Sequence, residues 1–163
     1  TGYNEAEIAK IKSASAEIPP FFTANMSIGI NLLRELAKKA ASILGDQYDI
    51  EIIEKHHNQK IDAPSGTALM LADAINESCR NRYSYIYDRH NVRKKRERSE
   101  IGIHSVRGGT IVGEHEIIFA GRDEVITLSH SAASKEVFAV GAVNAAAFIV
   151  GKPAGLYSMA DMI

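Results

Sequence analysis

The sequence predicts an α+β protein with a mixed four- to five-stranded sheet and helices packed on it. Three observations predict this. Four segments carry the apolar spacing of helices, one segment alternates with the period of two that marks a half-buried strand, and three more are β-rich. The composition, 45% hydrophobic and 24% charged over 163 residues, is that of an ordinary globular chain. That length holds one domain with a core, or one domain with the edges of a second.

The same figures exclude several function classes. Nineteen Lys and Arg against twenty Asp and Glu leave a net charge of −1, so no overall field draws the chain to nucleic acid or a membrane. The single cysteine, Cys79, cannot form an internal disulfide and fits a reducing, cytoplasmic setting. No apolar run approaches the roughly 20 residues of a membrane span, and the first stretch, TGYNEAEIAKIKS, lacks the apolar centre of a signal peptide. The chain starts at Thr1, without Met, in a turn-like Thr-Gly-Tyr-Asn. This reads as a cut inside a longer protein.

The elements follow in order. Asn4 with Glu7 is a capping box, and it opens a weakly amphipathic helix to about Glu17, which Pro19-Pro20 stops. Phe21-Phe22-Thr23 reads as a short buried strand. Ser27 caps a second helix that runs through Ile30, Leu33 and Ala37 towards Gly45. Residues 49–55 (DIEIIEK) alternate and are β-branched, hence a strand. A polar turn, 57–64, leads to a helix opened by Ser65-Gly66-Thr67. Residues 80–99 hold many charges and read as a solvated excursion. Segments 101–106, 110–119 and 124–130, joined by Gly108-Gly109 and Gly121-Arg122-Asp123, read as an antiparallel meander. Ser134 is placed to cap a last helix, 135–150, so apolar that it needs a large surface against it.

The chemistry concentrates in EIIEKHHNQKIDAPSGT, Glu51 to Thr67. His56 and His57 end a strand, Lys60 follows in the turn, and Ser65, Gly66 and Thr67 begin a helix. Strand ends beside helix starts are where α/β folds bind ligands. Amides at a helix start, with the Ser65 and Thr67 hydroxyls, make an anion cradle, and Gly66 lets a ligand approach the backbone. Lys60 adds a full positive charge. A histidine titrates near neutrality and can pass a proton to a reacting carbon. The combination suits a small acid, a dicarboxylate by preference, in a step that includes proton transfer. Each feature alone has a plainer reading, as a helix cap or a surface histidine pair. Their coincidence within some fifteen residues favours a site.

Other features are weaker. His104, His115 and His130 fall on separate β segments and could converge, with Glu114 and Glu116 on the face opposite His115. They lack metal-ligand spacing, so no metal is expected. The basic run Arg89 to Arg98 has no interleaved aromatics and reads as a solvated loop rather than a nucleic-acid patch. Arg107-Gly108-Gly109 is a turn able to present a guanidinium to an anion. Neither G-x-G-x-x-G nor a P-loop occurs, so a nicotinamide cofactor would be held mainly by residues outside these 163.

At this point a resemblance is visible. Glu54 to Ala68, E-x-H-H-x-x-K-x-D-A-P-S-G-T-A, resembles the signature of the 4-hydroxy-tetrahydrodipicolinate reductase (dihydrodipicolinate reductase) family. Thr23 to Gly29 resembles its A-N-[FM]-S-x-G, and Val106 to His115 its V-R-x-G-x-x-x-G-E-H. The last helix and Gly155-Leu156-Tyr157 are also similar, so the resemblance covers the whole chain. It implies a reductase of lysine and diaminopimelate biosynthesis. In that family a Rossmann domain binds NADPH or NADH, and an α+β domain binds substrate and forms a homotetramer through its sheet. Residues 1–27 are then a remnant of the nucleotide-binding domain and 28–135 the substrate-binding and oligomerisation domain. Residues 136–163 are the helix and tail that return to the nucleotide side. His56 and Lys60 match catalytic positions. His57, Ser65, Gly66 and Thr67 match substrate-binding ones. Thr1, Gly2, Ala24, Asn25 and Met26 match cofactor-binding ones. The rival from another class is a non-catalytic module that binds a small dicarboxylate in the Ser65–Thr67 cradle.

Overall fold

The structure, a computed structural model, describes residues 3–163. It divides into two compact units. One is Leu33–Ser134, and the other joins the residues up to Leu32 with Lys135–Ile163.

The central unit is built on a five-stranded mixed sheet. Its strands are β1 (Asp49–His56), β2 (Ser84–Ile86), β3 (Glu100–Arg107), β4 (Gly113–Ala120) and β5 (Val125–Ala132), in the spatial order β2-β3-β1-β4-β5. β1 runs parallel to β3 and antiparallel to β4, while β4 and β5 form the single hairpin among these strands. The parallel pair needs a crossover, and helix α3 (Gly66–Ser78) lies within the connecting chain. Period-two alternation sends Ile50 and Ile52 of β1, Ile101 and Ile103 of β3, and Ile117 and Phe119 of β4 to one face, where all six are buried. Ala68, Leu71, Ala72 and Ile75 of α3 are buried with them, as are Leu33, Ala37 and Ala41, at four-residue spacing on helix α2 (Ile28–Leu44). Each fully buried Leu, Ile or Phe contributes about 1.5–3 kcal/mol. The opposite face carries Glu51, Ile53 and Lys55 of β1 and is partly exposed.

The meander expectation fails at one joint. β3 and β4 are consecutive in sequence, yet β1 lies between them. The Gly108-Gly109 turn does not close a hairpin but laps over the end of β1. Gly108 N–H donates to the His56 carbonyl at 2.9 Å, and Asn58 N–H to that of Gly109 at 3.2 Å. Gly109 takes the left-handed φ of +49° that this path requires. Local alternation marks strands but does not say which strands are neighbours.

The 80–99 excursion is also more structured than expected. It supplies β2, and it is pinned to the sheet by Arg89 and Arg96. Arg96 bonds Asp49, Glu51 and the carbonyls of Ile50 and Glu100, and Arg89 bonds Glu51 and Glu100.

In the other unit, helix α1 (Glu5–Ala14) has the expected Asn4–Glu7 capping box, with both bonds formed. Phe21-Phe22-Thr23 is not a strand: Phe21 makes an isolated bridge with Tyr157. Helix α4 (Glu136–Ile149) starts from Lys135, whose side chain makes no capping bond, rather than from Ser134. Gly141 and Ala145 are the buried residues of α4, while Val143 is 68% exposed, so its apolar surface is only partly covered. A Cβ on Gly141 would sit 1.8 Å from the Met26 carbonyl oxygen, so only glycine permits this approach. Among the described residues no helix is long and apolar enough to cross a membrane.

Candidate active site

The site grows from the end of β1. Glu54 and His56 share the buried parity of the strand, so both point to the helix-covered face. Glu54 is 0% exposed. A buried carboxylate needs partners for both oxygens, and it has them. Arg107, across the parallel pairing on β3, donates Nη1 to Oε2 at 2.8 Å and Nη2 to Oε1 at 2.7 Å. Ser65 N–H donates to Oε1 at 3.1 Å. His56 Nδ1 lies 2.5 Å from Oε2. Burial alone would raise the Glu54 pKa, but hydrogen bonds from Arg107, Ser105 and His56 outweigh it and hold the group at about 2. Glu54 is therefore a carboxylate at neutral pH, and His56 Nδ1 is the donor in their bond. The His56 side chain is 12% exposed.

Ser65 joins this cluster to the helix. Its hydroxyl accepts from Ala68 N–H at 3.1 Å, which caps α3, and lies 3.0 Å from His115 Nε2 on β4. His115 is buried and stands edge-on to His56, with ring centroids 5.2 Å apart. Burial, followed by the charge of His56, pushes its pKa down to about 4, so His115 stays neutral at pH 7. Gly66 and Thr67 bring the other amides of the first turn, where the helix dipole favours an anion. A Cβ built on Gly66 would meet nothing within 4 Å, so the space above it is open. Lys60 donates to both oxygens of Asp62, at 2.8 and 2.9 Å, and Arg107 also donates to the Asp62 carbonyl at 2.7 Å.

Thus His56, Lys60 and Ser65 are brought onto one scaffold of Glu54, Arg107 and Asp62, with Gly66 and Thr67 adjoining. His57 follows in the turn, half-buried, its carbonyl accepting from Lys60 N–H at 3.2 Å. Ala24, Asn25 and Met26 lie in the other unit. There Asn25 bonds Ser27 N–H through its side chain at 2.8 Å, and its carbonyl accepts from the Asn31 amide at 2.9 Å. Thr1 and Gly2 lie outside the described residues.

Two expectations are corrected. His104, His115 and His130 do not converge: His115 and His130 pair across β4 and β5 on the covered face, whereas His104 is on the opposite face beside Glu51. Arg107 offers its guanidinium terminus to the protein's own Glu54, not to an outside anion. Sequence reasoning missed Glu54 and Arg107 as members of the site. The parity of Glu54 with His56 was a usable signal; the β1–β3 pairing that brings up Arg107 was not.

The family described as "Dihydrodipicolinate reductase, C-terminus" matches residues 29–163. The chain belongs to this family. Among its relatives, the 4-hydroxy-tetrahydrodipicolinate reductase of Caldanaerobacter subterraneus subsp. tengcongensis is 57% identical, and that of Clostridium novyi 53%, each over 100% of this chain. The chain spans 64% of the length of both relatives. A solved dipicolinate-bound dihydrodipicolinate reductase from Paenisporosarcina sp. TG-14 has a TM-score of 0.74 at 26% identity, over 100% of this chain and 62% of that one. Family membership agrees with the resemblance carried by Glu54–Ala68 and with the α+β sheet observed.

Proposed function

We propose that this chain is the substrate-binding and assembly portion of a cytoplasmic 4-hydroxy-tetrahydrodipicolinate reductase, acting in lysine and diaminopimelate biosynthesis with NADPH or NADH. The observation that carries the reading is the Glu54–His56 pair beside the open first turn of α3, within one motif with Lys60. His56 is the proton donor: its Nδ1 is engaged by Glu54, which leaves Nε2 to face the reacting ring. The amides of Gly66 and Thr67, with the Thr67 hydroxyl, hold one substrate carboxylate. Lys60, released from Asp62, supplies the positive charge opposite it, and His57 borders the same space. Such positioning is itself a large part of catalysis.

The cofactor when bound supplies the hydride. Its fit to this chain is partial. No glycine-rich phosphate cradle occurs in these residues, while Ala24–Met26, in a turn fixed by Asn25 and Asn31, offers a backbone edge suited to a nicotinamide amide. Residues 1–27 and 136–163 therefore belong to the nucleotide side and 28–135 to the substrate side. Assembly into a homotetramer uses the open sheet face, where Val106 and Val125 are exposed.

The test is calorimetric binding of dipicolinate to the full-length protein saturated with NADPH, together with its reductase assay. Lys60→Ala is expected to weaken dipicolinate at least tenfold, and Thr67→Ala several-fold. Undiminished binding in both variants, or a wild-type protein that reduces no substrate with either nicotinamide, would overturn the reading.

A further inference from the structure

We propose that Glu54 is a positioning residue for His56: clamped by Arg107, it fixes His56 in the Nδ1–H form, so that the proton passed to substrate always leaves from Nε2. The inference rests on His56 being the donor, and it goes beyond the motif by assigning work to two residues that need never touch substrate.

Three geometric facts carry it. First, the carboxylate has no freedom. Arg107 grips both oxygens in a fork-to-fork pair, and Ser65 N–H takes a further position on Oε1. Glu54 thus presents a fixed acceptor to His56 Nδ1, and a fixed acceptor selects the ring nitrogen that carries hydrogen. Second, the clamp spans elements that are distant in sequence: Glu54 on β1, Arg107 on β3 and Ser65 at the start of α3. The ring is therefore referenced to the same helix start that cradles the anion. Third, the other side of the ring is kept open. His115 stands edge-on to it from β4, and residue 113 beside Nε2 is a glycine, where a Cβ would lie 3.2 Å from that nitrogen. Neutral His115 neighbours the ring without adding a positive charge. A side chain held on one edge by an ionised carboxylate, with its other nitrogen at a strand end, is poised for one direction of proton transfer. When the Nε2 proton leaves the imidazolium, the neutral product is the Nδ1–H tautomer already bonded to Glu54, so no ring flip or second proton movement is required.

The experiment uses full-length protein with nitrogen-labelled histidine. Its spectra report the tautomer of His56 without substrate, and steady-state rates are measured in parallel. Wild type is expected in the Nδ1–H form. In Glu54→Gln the amide can donate to Nδ1, so a substantial Nε2–H population appears; kcat falls about 10- to 100-fold, with KM within about threefold. Glu54→Asp restores the Nδ1–H form and part of kcat. Since Glu54→Gln strands the Arg107 guanidinium, the double variant Glu54→Gln/Arg107→Gln removes both charges; it is expected to fold and to show the same tautomer mixture. An unchanged Nδ1–H form in both the single and the double variant would overturn the proposal. A wild type inactive towards substrate would instead overturn the reductase reading, and the tautomer spectra would still decide the positioning claim.

Discussion

Strand β1 carries two glutamates three residues apart, and each meets a histidine and arginine on its own face of the sheet. On the covered face, Glu54 lies 2.5 Å from His56 and is gripped by Arg107. On the open face, Glu51 lies 2.7 Å from His104 and is shared by Arg89 and Arg96. The residue types are nearly the same, but the environments are not. Glu54 is sealed from water, so its bonds decide its ionisation and its geometry. Glu51 is 21% exposed; burial works against its charge, but hydrogen bonds from Arg96 and His104 outweigh this and lower its pKa. Burial with both oxygens bonded makes Glu54 a fixed anchor for His56, whereas the partly exposed Glu51 fastens the 80–99 excursion.

The largest expected effect separates the two carboxylates by stability. Glu54→Ala leaves Arg107 mostly buried and unpaired, and is expected to cost about 3–5 kcal/mol. Glu51→Ala is expected to cost about 1 kcal/mol or less, because its ion pairs are partly solvated. Urea unfolding of both variants checks this, and equal losses would remove the distinction between the faces.

The next is pH dependence. Folded His115 titrates at about 4 against an ordinary value of 6.5, so the unfolded chain binds the extra proton first. The associated stability is fully present above pH 6.5 and is lost as pH falls towards 4, by about 3 kcal/mol in all. Unfolding measured across that window in wild type and His115→Gln should show the slope diminished in the variant. An identical slope would mean that burial of His115 does not set it.

The third uses glycines matched across the sheet. Gly113→Ala places a Cβ 3.2 Å from His56 Nε2, so the ring must yield by a few tenths of an ångström. Turnover is expected to fall about tenfold while stability changes by about 1 kcal/mol or less. Gly102→Ala puts a Cβ against the Glu51 carboxylate, 1.7 Å from Oε2, and must displace that side chain. There the expected loss is about 1 kcal/mol of stability with turnover intact. Thermal melts and rates on the same two preparations tell them apart.

The comparison also shows what the sequence made legible. Alternation in residues 49–55 placed Glu51 and Glu54 on opposite faces, and Asn4, Ser27 and Ser65 were readable as caps because capping is local chemistry. The motif from Glu54 to Ala68 drew attention to His56 and Lys60. Strand neighbours were not legible: the insertion of β1 between β3 and β4 is a long-range choice, and it alone brings Arg107 to Glu54 and His115 to His56. The tethering of the 80–99 segment was hidden for the same reason, since Arg96 bonds Asp49 and Glu51 more than forty residues earlier in the chain.

If the proposed reaction runs on the covered face, the rate of NADPH oxidation with substrate in the full-length protein separates His56→Gln from His104→Gln, the matched control across the sheet. A loss of about 100-fold or more is expected for His56→Gln, and a rate within about twofold of wild type for His104→Gln. Comparable rates for the two variants would contradict the covered-face reading.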